Sequence, residues 1–178
     1  ILSNLMKIID KIILNFTNNK SLYIGEKVTM SEHMIQTAML AEKAKCKDEL
    51  ICSCLLHDYG HFILENPDEL VKLKVDGHHE NIGYEYLKVF FNKEVVQPIK
   101  HHVTAKRYLA RNKEYFNLLS EASKTSLKLQ GGVLNDEESG KFESQEYFKP
   151  SILLRKFDEA AKKTDIKMKS IHDYQKLL

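Results

Sequence analysis

The chain has 178 residues, is 43% hydrophobic, and carries a formal net charge of +2. That length supports one domain with a real core, and the near-balanced charge gives no strong pull toward nucleic acid or an anionic membrane. No stretch approaches the ~20 consecutive apolar residues of a membrane span, so a helical membrane protein is excluded as an expectation.

Leu5, Ile8, Ile9, Ile12 and Ile13 recur at helical spacing and predict a first helix over about 4–16. Lys7, Asp10 and Lys11 make that segment amphipathic rather than a secretory signal. Asn18, Asn19 and Gly25 break the pattern, and Tyr23-Ile24-Gly25-Glu26 forms a short turn. Ser31 is placed to cap a second helix carrying His33, Met34, Ile35, Ala38 and Met39. A third helix is expected from about Asp48 to His57, ending at Gly60 as a left-handed cap. The three cysteines, Cys46, Cys52 and Cys54, have no disulfide spacing. They read as reduced thiols, two of them in an apolar helix, which points to a reducing cytoplasm.

Glu65 to Gly77, with Pro67 and several charges, reads as a surface loop or lid. Helices are then expected from His79 and from Val95 to Leu109, the latter with Pro98 near its start or at a kink. Asn112 caps a further helix, Ser120 to Gln130 continues it, and Gly131-Gly132 stops it. Asn135 or Asp136 caps a short acidic helix. The last clear helix is predicted over Ser151 to Lys162, with Leu153, Leu154, Phe157 and Ala161 inward. The tail after Thr164 shows weak periodicity, no strand pair has hairpin chemistry, and the fold class is all-α.

The chemistry lies in an ordered set: His33, His57 with Asp58, His79, His102 and Asp158. Short loops between antiparallel helices can bring such residues to one centre, as in metal-binding bundles. Imidazoles and carboxylates are costly to bury unpaired, and a hard or borderline ion such as Fe, Mn, Zn or Mg removes that cost. An aspartate between two ions can bridge them, and Asp58 is the candidate.

The stretch Leu55-Leu56-His57-Asp58-Tyr59-Gly60-His61 resembles the HD-domain superfamily. The resemblance implies the HD-domain helical bundle and, for the superfamily at large, phosphohydrolase activity. Flanking motifs are similar to PhnZ-type oxygenases: Tyr23 to Glu26, His33 after a glutamate, His79-Glu80 with Gly83, His102 to Leu109, the run ending at Gly132, and Arg155 to Asp158. That resemblance runs in order over about residues 20–175. It implies a single HD domain over 1–178, with its metal core at about 20–165, an N-terminal helix and a C-terminal tail 164–178.

It further implies a mixed-valence diiron oxygenase with two iron ions (Fe2+/Fe3+) and O2 as co-substrate. The reaction would split the carbon–phosphorus bond of a 1-hydroxy-2-aminoethylphosphonate-type substrate, releasing phosphate and glycine, or glycine betaine from a trimethylated one. The implied metal ligands are His33, His57, Asp58, His79, His102 and Asp158, with the second histidine of each doublet (His78-His79, His101-His102) chosen because the motifs run His-Glu and His-Val. Tyr23, Glu26 and His61 are implied as catalytic and substrate-facing, with Lys106, Ser123, Gln130 and Arg155 around the phosphonate. Ser126 stands as an alternative to Ser123. A phosphonate dianion wants cations and hydroxyl donors, and Lys106 lies one helical turn after His102. The alternative function is a metal-dependent phosphohydrolase acting on a nucleotide or phosphate ester. The expected partner is a small molecule, with no nucleic acid and no membrane, for a monomer or weak dimer.

Overall fold

The computed structural model describes residues 2–23, 25–64 and 77–178, with side chains from residue 7 onward. The predicted loop between Glu65 and Gly77 therefore lies almost wholly outside the described residues. The described residues form helices α1 (Leu2–Asn18), α2 (Met30–Lys43), α3 (Asp48–Leu56), α4 (Gly60–Ile63), α5 (His79–Leu87), α6 (Lys93–Leu109), α7 (Lys113–Leu118), α8 (Glu121–Leu129), α9 (Asp136–Glu143) and α10 (Phe148–Ala160). A 3-10 helix, Ile171–Leu177, follows. Extended pairing among them is limited to one antiparallel bridge between Leu22 and Thr29, so the chain is all-α.

The helices form where the sequence supplies both an apolar stripe and an end. In α1 the stripe Ile8, Ile12 and Phe16 is buried. The cap of α2 is Thr29 rather than Ser31. Thr29 accepts from the Glu32 amide at 3.1 Å, and Glu32 returns the contact to the Thr29 amide at 2.7 Å. This reciprocal box satisfies two otherwise orphaned donors and is worth about 1 kcal/mol. Ser31 instead lies buried and donates to the Phe16 carbonyl at 2.9 Å, tying α2 to α1. Helix α3 ends at Leu56, and Gly60 opens α4 rather than capping α3 with a positive φ.

Pro98 lies inside α6, where it removes one backbone donor. The Ser53 hydroxyl of α3 donates beside it to the Val95 carbonyl at 2.7 Å. The predicted run from Asn112 to Gln130 is two helices, because Leu119 and Ser120 are extended and Ser120 caps α8 afresh. Asn135 caps α9 through a second reciprocal box with Glu138. Helix α10 starts earlier than expected, at Phe148, and Leu153 faces outward while Leu154 and Ala161 are buried.

Helices α2, α3, α6 and α10 pack on one another and enclose the main core, with α1 and the 3-10 helix sealing one end. The tail is thus part of the fold: Ile171 and Tyr174 are buried, and Tyr174 donates to Glu42 at 3.1 Å. Truncating a buried Leu such as Leu55 or Leu154 to Ala in such a core costs about 2–5 kcal/mol. Among the described residues, no helix is long and apolar enough to cross a membrane.

Candidate metal centre

Five elements deliver side chains to one buried point. The first turn of α2 carries His33, the residue after α3 is His57, and Asp58 follows in the turn leading to α4. His79 is the first residue of α5, His102 lies in the middle of α6, and Asp158 in the last turn of α10. His33, His57, Asp58, His79, His102 and Asp158 are all buried. The doublets separate cleanly. The His78 side chain is two-thirds exposed and occupies a left-handed backbone position (φ 48°) that turns the chain into α5. His101 packs its ring toward Phe142, while His102 points to the centre.

The ring nitrogens show what the centre is built for. The Nδ1 of His33 faces the Ala161 carbonyl at 2.9 Å, that of His57 the Cys54 carbonyl at 2.8 Å, and that of His102 the Ile99 carbonyl at 2.7 Å. A carbonyl only accepts, so each Nδ1 carries the proton, and a neutral ring then presents Nε2 as a bare lone pair. Those lone pairs converge. His33 Nε2 lies 3.2 Å from His57 Nε2 and 3.3 Å from Asp158 Oδ1, and His57 Nε2 lies 3.3 Å from Asp58 Oδ2. On the other side, His79 Nε2 lies 3.1 Å from His102 Nε2 and 3.1 Å from Asp58 Oδ1, and His102 Nε2 lies 3.3 Å from that same oxygen.

Two nests of acceptors therefore share one carboxylate, each oxygen of Asp58 facing its own nest. Asp158 Oδ1 is buried with no hydrogen-bond partner among the described residues. Acceptors packed this closely repel unless a proton or a cation lies between them, and the donor set suits divalent or trivalent ions of intermediate hardness. The residues fit two metal ions.

With no ion between the acceptors, a proton takes that place at His57. Burial alone would lower the His57 basicity, but the Asp58 and Asp158 carboxylates outweigh it and raise it to about 9. Burial works against the Asp58 carboxylate, yet the His57 charge and the imidazoles of His102 and His79 set around it hold it well below its ordinary range. His79 is pushed down to about 3 by burial and then by His61.

Two rings flank the nests. Tyr23 stacks on His33 at 4.0 Å and 9°, and His61 stacks on His79 at 4.1 Å and 17°. His61 also has a nitrogen within ligand range of Asp58 and His79, so it sits at the metal nest itself and not only at a helix cap.

The anion-facing residues divide. Lys106, buried, donates to Ser126 at 2.8 Å, and burial, then the nearby Arg155 charge, push its ammonium down to about 7. Ser126, the alternative hydroxyl, is thus the partner of Lys106. Ser123 donates to Glu159 at 3.1 Å and accepts from Lys162 at 3.0 Å. The Gln130 amide oxygen is buried without a partner among the described residues. Arg155 does not offer an open fork to a ligand: its guanidinium bonds Asp158, Glu159 and the Tyr115 hydroxyl, which makes it the group that orients Asp158.

Glu26 meets Lys162, whose Nζ lies 3.2 Å from Glu26 Oε1, 3.0 Å from Glu159 Oε1 and 3.2 Å from Ser120 Oγ. Sequence reasoning passed over Glu159 and Lys162. Their signal was the helical spacing, since Glu159 stands four residues after Arg155 and Lys162 four after Asp158.

Residues 30–157 match the HD domain family. The chain is 46% identical over 145 residues, 81% of its length, to the glycine-betaine-forming [1-hydroxy-2-(trimethylamino)ethyl]phosphonate dioxygenase of Leisingera caerulea, covering 74% of that protein. It is 42% identical over 154 residues, 85% of its length, to the hydroxymethylphosphonate dioxygenase of Gimesia maris, covering 77% of it. An uncharacterised protein of Acanthamoeba polyphaga mimivirus is 39% identical over 160 residues, 88% of this chain and 73% of the viral one.

Proposed function

The chain belongs to the HD domain family, and on that premise we propose that it is an O2-dependent diiron oxygenase that cleaves the carbon–phosphorus bond of a 1-hydroxyphosphonate. The balanced reaction converts R–CH(OH)–PO3 and O2 into the carboxylate R–COO and orthophosphate. An aminated or trimethylated R gives glycine or glycine betaine, and R as hydrogen gives formate. The observation that carries this reading is the pair of acceptor nests sharing Asp58, in a chain similar to phosphonate dioxygenases.

In this reading His33, His57, Asp58 and Asp158 would hold one iron, and Asp58, His79 and His102, with His61 beside them, would hold the other. A mixed-valence Fe2+/Fe3+ pair supplies dioxygen activation and the one-electron chemistry at C1 when bound. The chain's own residues do the rest. Lys106 Nζ gives the phosphonate oxygens a charge-assisted donor with the Ser126 hydroxyl beside it, and the NH2 end of the Gln130 amide is the donor that side chain can turn to the same group. Ser123 lies beside them, its hydroxyl proton given to Glu159. Burial keeps the His61 imidazole neutral, so its free nitrogen can accept the proton of the substrate's 1-hydroxyl. Tyr23 closes the nest over His33, excluding water from that face. Arg155 fixes the direction of the Asp158 carboxylate through a pair buried on both sides.

The test is phosphate release from 1-hydroxyphosphonates by iron-loaded protein, with and without O2. Release only with O2, matched mole for mole by carboxylate, is the expected result. Equal release without O2 places the chain among the metal-dependent phosphohydrolases instead.

A further inference from the structure

The ammonium of Lys162 is the centre of a charge chain that runs out from the metal nest. Asp158, Arg155, Glu159, Lys162 and Glu26 alternate in sign, each paired with the next. The Lys162 side chain is 12% exposed and that of Glu26 15%, so this is an inner pair rather than a surface one. Two serine hydroxyls, Ser120 and Ser123, complete the surroundings of its Nζ. The same Nζ lies 5.9 Å from the centroid of the Tyr23 ring, which stacks on His33.

A cationic group arriving near the metal nest needs a carboxylate or an aromatic face. Among the described residues, each carboxylate near the nest has a charged or polar neighbour, and Glu26 Oε1, which makes no hydrogen bond, has the Lys162 ammonium as its ion-pair partner. Asp58 and Asp158 face the imidazoles, Glu80 lies by Asn81 and the His79 ring, and Glu26 and Glu159 share Lys162. The Tyr23 ring has His33 stacked on it and the Lys162 ammonium nearby, which takes up its cation-binding capacity.

We propose that Lys162 is a specificity-determining residue that fills the cation position beside Glu26 and Tyr23, so that the substrate is a compact hydroxyphosphonate with no ammonium group. The proposal rests on the oxygenase reading above and narrows it. Specificity of this kind comes from a built-in repulsive element as much as from attraction.

Anaerobic titration calorimetry separates the two. Without O2 the iron-loaded full chain binds its ligand but does not turn over. Three ligands are compared: hydroxymethylphosphonate, 2-amino-1-hydroxyethylphosphonate and its trimethylated form. Wild-type protein should bind the first at least about tenfold more tightly than either cationic ligand, the scale set by two like charges a few ångströms apart in a partly buried site. Lys162→Met, checked for iron content and helicity, should shrink or invert that ratio by about tenfold, and Lys162→Arg should keep it. Equal or tighter wild-type binding of a cationic ligand overturns the proposal without need of any variant. So does a Lys162→Met protein weakened equally toward all three, which would make Lys162 part of the phosphonate contact, and so does failure of all three to bind. Admitting O2 then tests the oxygenase reading alone: the expected binding ratio with no phosphate released retires that reading and leaves the selectivity standing.

Discussion

At the scale of single residues, His57 and Lys106 carry the pH dependence. His57 titrates near 9 because the Asp58 and Asp158 carboxylates outweigh its burial, so below that pH a proton competes for the nitrogen that a metal needs. Metal uptake should therefore release a proton, and apparent affinity should climb by up to about tenfold per pH unit as pH rises toward 9. Iron-binding isotherms at pH 6, 7 and 8 check this, and a flat profile counts against His57 as a ligand. Lys106 has the opposite consequence for the substrate. Burial brings its ammonium down to about 7, so affinity for a phosphonate dianion should fall as pH rises above that value. Lys106→Met should raise the dissociation constant for the phosphonate about 10- to 100-fold, the worth of one charge-assisted contact, while bound iron stays unchanged. Calorimetry beside a metal assay reads both.

At the scale of elements, the close approach of α4 to α5 sets the second nest. A Cβ at Gly60 would lie 1.9 Å from the His79 carbonyl oxygen and 2.9 Å from the Gly83 amide nitrogen. Both are α5 backbone and cannot yield, so Gly60→Ala should cost about 3 kcal/mol and shift His79 off its nest. Urea unfolding with metal stoichiometry tests this. The loss should fall on the His79–His102 side before the His33–His57 side.

That contact also marks the limit of what was legible in the chain. The helices and the ordered histidines with Asp58 follow from spacing, because an apolar stripe and a His-Asp step are local patterns. Gly60 reads locally as a helix stop, and only the neighbouring helix reveals that its missing side chain makes room for α5. Ser31 likewise looks like a cap until Thr29 and Glu32 are seen to form the reciprocal pair. Arg155 reads as an anion binder because Tyr115 reaches it from α7 by packing, while only Glu159, one turn on along α10, is marked by spacing. The Glu26–Lys162 pair joins residues far apart in sequence, and no local pattern announces such a contact.

At the scale of the whole molecule, the centre ties α2, the α3–α4 turn, α5, α6 and α10 to one point, so metal and fold are coupled. Ions bound at about a thousandfold above their dissociation constant contribute about 4 kcal/mol, and for a chain of this size that moves the melting temperature by roughly 10 °C. Chelation should lower the melting temperature by about that amount and added iron should restore it, which calorimetry in both states checks. The groups that orient His33, His57 and His102 are main-chain carbonyls of Ala161, Cys54 and Ile99, two of them on the turn of helix just before the histidine. No point mutation can delete a main-chain carbonyl. The tautomers of His57 and His102 are therefore carried by the helix turn that bears each ring, and that of His33 by the end of α10, so side chains behind the centre, and with them the substrate, can vary without disturbing how these rings are aimed.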